Sequence, residues 1–282
     1  ATNDDTLTAF ESDGFALGDD VIVNTNAESY AAWQWKAGGS ASSNTDGTIT
    51  SSASVSQEAG FSILTYTGIA SSTGTVGHGL GAVPAMILFK NLPGSTTWYV
   101  YHKDIPNPNV TVLHLDTNAA ATGVGVNTFN NTSPTSSVFS LGNDTNVNAN
   151  GESHVAYCFA EIPGYSSFGK YTGNGNNDGP FINTGFRPAW IMVKEHTSSD
   201  DWVIYDSARD PINLAGRVLR ADSTAAEFDG RGTSDRAMDM LSNGFKFRSS
   251  NATMNGNGVG YVYMAFAENP FGGDGVAPAT AR

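Results

Sequence analysis

One short strand-like phrase occurs three times and constrains what the chain can fold into. It reads YAAWQWKAGG at Tyr30–Gly39, HVAYCFAEIPG at His154–Gly164 and YVYMAFAENPFG at Tyr261–Gly272. Each copy carries an aromatic at the matching place (Trp35, Phe159, Phe266), then a charge. A Gly/Asn-rich turn precedes each copy and Gly or Pro follows it. Recurrence at a spacing of roughly 105–125 residues signals tandem duplication. The approach to each phrase keeps register as well. Phe15 to Trp35 and Phe139 to Phe159 are both 20 residues apart, and Phe245 to Phe266 is 21.

From these anchors the rest aligns. Residues 58–163 form one complete unit and 164–272 repeat its order. GFSILTYTG matches GYSSFGKYTG, GLGAVPAMILFK matches TGFRPAWIMVKE, and WYVYHK matches WVIYDS. Pro84 to Trp98 and Pro188 to Trp202 each span 14 residues. Each proline suits the first residue of a strand, where no ladder N–H is required. WYVYHK alternates as a half-buried strand should. Residues 1–39 supply only the second half of such a unit. Alone they would expose a sheet face and an open edge, so strands from before Ala1, from a neighbouring subunit or from the next domain must complete them. Residues 40–57 read either as a Ser/Thr/Gly-rich linker or as an edge strand, and 273–282 as a tail without core residues. Six or seven short strands per unit is the size of a sandwich domain. The expected fold is therefore all-β: tandem β-sandwich modules, one half-module followed by two duplicated modules.

Composition agrees. The chain has 32 Gly and only 15 % charged residues, against ~25 % in a typical soluble domain. Long helical periodicity is missing, and only Asp222–Phe228 and Arg236–Leu241 look helix-tolerant. A net charge of −13 argues against nucleic-acid binding, which needs a basic footprint. One cysteine, Cys158, excludes an intrachain disulfide and reads as a small core hydrophobe. No apolar run approaches ~18 residues, so no membrane-inserted helix is expected.

SDGFALG, YAAWQWKAGGS with NTDGTITS, VGHGLGAVPAMILFKN, VAYCFAE, YTGNGNNDGPF, WVIYDSARDP, LSNGFKF and YMAFAENPF together resemble the tandem modules of virion structural and tail-fibre-like proteins of tailed bacteriophages, marine ones in particular. The resemblance runs from about Leu7 to Phe271. It implies a virion or extracellular location and a fibre or spike that contributes to host attachment. The implied partners are other copies of the chain, as a homo-oligomer and foremost a trimer, other virion proteins, and a host-surface glycan. It supplies no catalytic residues.

The side chains are read on the same footing. The five histidines lack metal-ligand spacing. His154 stands where Tyr30 and Tyr261 stand and should pack. His102 and His114 alternate with apolar residues and should point outward. No GxSxG elbow is present, so no catalytic residue, metal or cofactor is assigned. Asp206, Asp210, Glu195 and Glu227 are the carboxylates available for a glycosidase pair, yet their second-unit counterparts are mostly not acidic. The loops at Asp144–Glu152 and Gly173–Pro180 are rich in oxygen ligands, but such clusters are ordinary turn chemistry. Trp98 and Trp202 recur as core anchors. The candidate contact loop is Asp206, Arg209 and Asp210. Trp33 and Trp35, two residues apart and so on one strand face, are the candidate subunit-packing pair.

Overall fold

The computed structural model describes residues 5–12 and 14–268. Asp13 and the last residues of the third phrase, together with the tail, lie outside the described residues. The described chain divides into two compact units, one up to Lys36 and one from Ala37 on.

The first unit holds β1 (Leu7–Phe10), β2 (Phe15–Leu17) and one helical turn, α1 (Val21–Asn24). β1 and β2 pair as an antiparallel hairpin. The phrase at Tyr30–Gly39 forms no strand, which corrects the sequence expectation for its first copy. A strand exists only where a neighbour satisfies its N–H and C=O groups.

The second unit contains both complete modules. The first comprises β3 (Ser42–Asn44), β4 (Ser51–Ser56), β5 (Phe61–Thr67), β6 (Gly74–Gly77), β7 (Pro84–Asn91), β8 (Tyr99–His102), β9 (Thr111–His114), β10 (Thr122–Gly123), α2 (Val126–Phe129), β11 (Val138–Leu141), α3 (Thr145–Asn148) and β12 (Ser153–Ala160). Its large sheet runs β10-β9-β8-β7-β12-β5-β4-β3, and β11-β6 form the opposing ribbon. The Ser/Thr-rich stretch after Ala41 thus carries two strands, which continue the sheet beyond β5. The next module comprises β13 (Ser166–Thr172), β14 (Phe181–Asn183), β15 (Pro188–Glu195), β16 (Val203–Asp206), β17 (Arg217–Arg220), β18 (Phe228–Asp229), β19 (Met238–Leu241), β20 (Gly244–Phe247), α4 (Ala252–Asn255) and β21 (Gly260–Ala267). Here the sheets are β13-β21-β15-β16-β17-β18 and β14-β20-β19. Neither helix-tolerant stretch is a helix: Asp222–Phe228 is mostly irregular, and Arg236–Leu241 runs into β19. Sheet pairing overrides weak local propensity there.

The two complete copies of the phrase become the central strands. β12 lies between β5 and β7, and β21 lies between β13 and β15. Each module closes its own core. One gathers Phe89, Phe129, Phe139 and Leu141, the other Tyr205, Phe245, Phe247 and Met254. Cys158 is fully buried and burial pushes its thiol up to about 12, so it packs as an inert hydrophobe.

A capped turn leads into the phrase in all three copies. Asp20, Asp144 and Asn251 accept from the N–H two residues on, an N-cap bond. Four residues later Asn24, Asn148 and Asn255 each donate their side-chain amide to a carbonyl six residues back: Gly18, Gly142 and Ser249. The next residue's N–H then reaches the first ring of the phrase: Thr25 to the Tyr30 hydroxyl, Ala149 to His154 Nε2 and Gly256 to the Tyr261 hydroxyl. Ala27, Gly151 and Gly258 close the turn at φ of 67°, 74° and 73°.

Candidate binding surfaces

Asp206, Arg209 and Asp210 do come together, but as a staple. Asp206 Oδ1 accepts from the Arg209 N–H at 2.8 Å and Oδ2 from Arg209 Nε at 2.6 Å. Arg209 also reaches Glu227. Asp210 Oδ2 takes the N–H groups of Gly216 and Arg217 at 2.8 and 2.7 Å. Asp206 and Asp210 are both buried. The loop between β16 and β17 is thus held by its own charges. Beside it, on and just after β17 and β18, stand the outward charges Arg217, Asp229 and Arg231, and Arg231 holds the Asp229 carboxyl far below the usual carboxylate range. The other two glycosidase candidates are likewise engaged: Glu227 binds Arg209, and Glu195 accepts from Thr197 and Ser198.

The histidine expectation is corrected at the seam between the two complete modules, where Trp202 is buried as an anchor while Trp98 is only half-buried. His102 does not point outward. It is buried, accepts the Asp104 N–H on Nδ1, and donates from Nε2 to the carbonyl of Tyr263 on β21 at 3.2 Å. Desolvation lowers its pKa to about 4. His114 is half-buried, edge-on to Tyr99. β8 as a whole is buried on both faces, because the neighbouring module covers the side that alternation assigns to solvent. Trp202 is buried, and its indole N–H donates to the carbonyl of His114 at 2.7 Å. Beside it, fully buried Lys194 donates to the carbonyls of Asn118 and Asp200. Trp98, its counterpart, is half-buried against Tyr157, with Lys90 over its ring.

On the face of β3, β4, β5 and β12 a shallow groove of about 320 Å³ is lined by Ser43, Ser52, Thr65, Thr67 and Ser153. Its hydroxyls donate and accept alike, and it carries no carboxylate. In the first unit, Phe10 is 79 % and Tyr30 52 % exposed. Trp33 and Trp35 are both half-buried, with exposed Gln34 between them. Among the described residues, no three His, Cys, Asp or Glu side chains converge to hold a metal ion.

The groove and the buried seam carried weak sequence signals, because their neighbours are distant along the chain. The capping asparagine was visible: it stands six residues before Tyr30, His154 and Tyr261 alike.

No curated protein and no solved structure matches this chain. A family model described as a domain of unknown function, DUF7483, matches residues 1–270. The chain therefore belongs to the DUF7483 family.

Proposed function

We propose that this chain is a non-enzymatic virion component of a tailed bacteriophage, part of a fibre or spike that contributes to attachment at the host surface. The reading is supported by the resemblance of its module motifs from Leu7 to Phe271. The observation that carries it is how the polar groups are used. The acidic side chains read as a possible catalytic pair are engaged in stapling the fold. What is left for a partner is surface: the hydroxyl-lined groove and the outward charges around Arg217 and Arg231. Weak contacts of that kind gain strength through multiple copies, as a homo-oligomer, a trimer foremost, would supply.

A second reading, a capsid-decorating or filament-forming protein acting only in assembly, is favoured by the open half-module, because strand donation links chains. The groove favours a third, a glycan-binding lectin or adhesin. Light scattering over a dilution series, with a glycan-array screen, separates them. A stable trimer that retains glycans supports the fibre. Open-ended growth with concentration favours the assembly reading. A monomer that binds glycans favours the lectin.

A further inference from the structure

We propose that residues 18–36 form a ready-made receptor for one kind of partner: an extended polypeptide segment that reads Tyr-Thr-Gly and continues for two residues. The two complete modules show what covers the equivalent surface. In the first, Tyr66 of β5 stacks on His154 with ring centroids 5.2 Å apart and donates its hydroxyl to the carbonyl of Val147. In the second, Tyr171 of β13 stacks on Tyr261 at 4.9 Å and donates to Met254. The glycine after Tyr-Thr is required sterically. A Cβ on Gly68 would lie 2.2 Å from the carbonyl oxygen of Ala149, and one on Gly173 2.3 Å from that of Gly256. The next two N–H groups are then bound by the capping asparagine. Ile69 and Asn174 donate to the side-chain oxygens of Asn148 and Asn255, and Ala70 and Gly175 to their backbone carbonyls.

Residues 18–36 already hold every receiving group. Asn24 is fixed by its amide on Gly18. The Tyr30 ring is fixed by its hydroxyl, which accepts from Thr25 and donates to Val21. The turn at Ala27 matches Gly151 and Gly258. Among the described residues no donor reaches Asn24 Oδ1, and Tyr30 is exposed where His154 and Tyr261 are fully buried. Leu17 is exposed while its counterparts Leu141 and Phe247 are in the cores. The occupant therefore places its tyrosine on Tyr30, passes its glycine by Thr25, and gives two N–H groups to Asn24. Pairing beside it turns residues 30–36 into a strand, a β-augmentation. This inference is independent of the virion reading.

The test uses the full chain with a copy of GYSSFGKYTGNGN joined ahead of Ala1 through a flexible Gly/Ser linker, which sets an effective concentration of about a millimolar. Amide exchange of residues 30–36 is followed by mass spectrometry. At least tenfold slowing is expected. That slowing should be lost when the joined copy carries Tyr171→Ala or Gly173→Val, and reduced when the receptor carries Asn24→Ala. Unchanged exchange overturns the proposal, as does equal slowing by the substituted copies. Protection of residues 30–36 already present in the unmodified chain at every dilution would show the surface to be covered by other residues of the chain, which also overturns it.

Discussion

The half-module and the two complete modules share a sequence pattern and a capped turn, yet only the complete ones form the central strand. Phe15, Leu17 and Val23 occupy the places of Phe139, Leu141 and Val147, and of Phe245, Phe247 and Met254. The latter six are all buried; the former are half-buried or exposed. The turn is locally determined, since its cap, amide and ring lie within about a dozen residues of one another. The strand is not, since β12 and β21 each need neighbours from the first half of a module. Local chemistry writes the turn, and non-local pairing decides whether the phrase becomes a strand.

That contrast is most sharply broken at the asparagines. Asn148→Ala removes bonds to Ile69, Ser71 and Gly142 in a fully buried site and leaves their partners unsatisfied. It is expected to cost about 4 kcal/mol, read as a lowered urea midpoint. Asn24→Ala, in an exposed turn, is expected to cost under ~1 kcal/mol.

Acid comes next, and through His102 it acts on the complete modules. His102 must be neutral to accept from Asp104 while donating to Tyr263, and its folded pKa lies near 4. The unfolded chain binds a proton near pH ~6.5. Stability is therefore full above that pH and falls as pH drops towards 4, by about 3 kcal/mol from this residue. Urea melts at pH 7 and pH 4.5 would show the loss. His102→Gln, which keeps a donor for Tyr263 and does not titrate, should flatten part of it.

Gly68→Ala is expected to cost about 2 kcal/mol by overpacking against Ala149, checked by thermal unfolding. The smallest effect runs the other way. Ala27 holds a left-handed φ that glycine holds in the other two turns. Ala27→Gly should stabilise the half-module turn by up to about 1 kcal/mol, read as slower exchange at the Thr25 amide that donates to Tyr30.

Much of the fold was legible. GFSILTYTG, the Pro84 and Pro188 starts and the phrase at His154 were readable as strands because their apolar residues are local and bounded by glycine. The duplication was readable because aromatics keep register. The seam was not. His102 and Tyr263 are 161 residues apart in sequence, so alternation along β8 assigned one face to water. Trp202 was readable as an anchor, but what it anchors to, the carbonyl of His114, has no local signature. The Asp206 loop was readable as one local unit because its bonds span only three to seven residues. Glu227 entered it only through the neighbouring strands.

The seam also sets how modules add. Module one offers carbonyls at His114 and Asn118; module two offers the Trp202 indole and the Lys194 ammonium. The two sides are different, so the junction has a direction and is not self-complementary. Lys90 and Trp98 repeat the donating side, and exposed Thr224 stands two residues after Asp222 as Asn118 does after Asp116. An array built this way behaves as a nearest-neighbour chain, its stability the sum of one contribution per module and one per junction. Terminal modules, with one junction each, are then the first to fray.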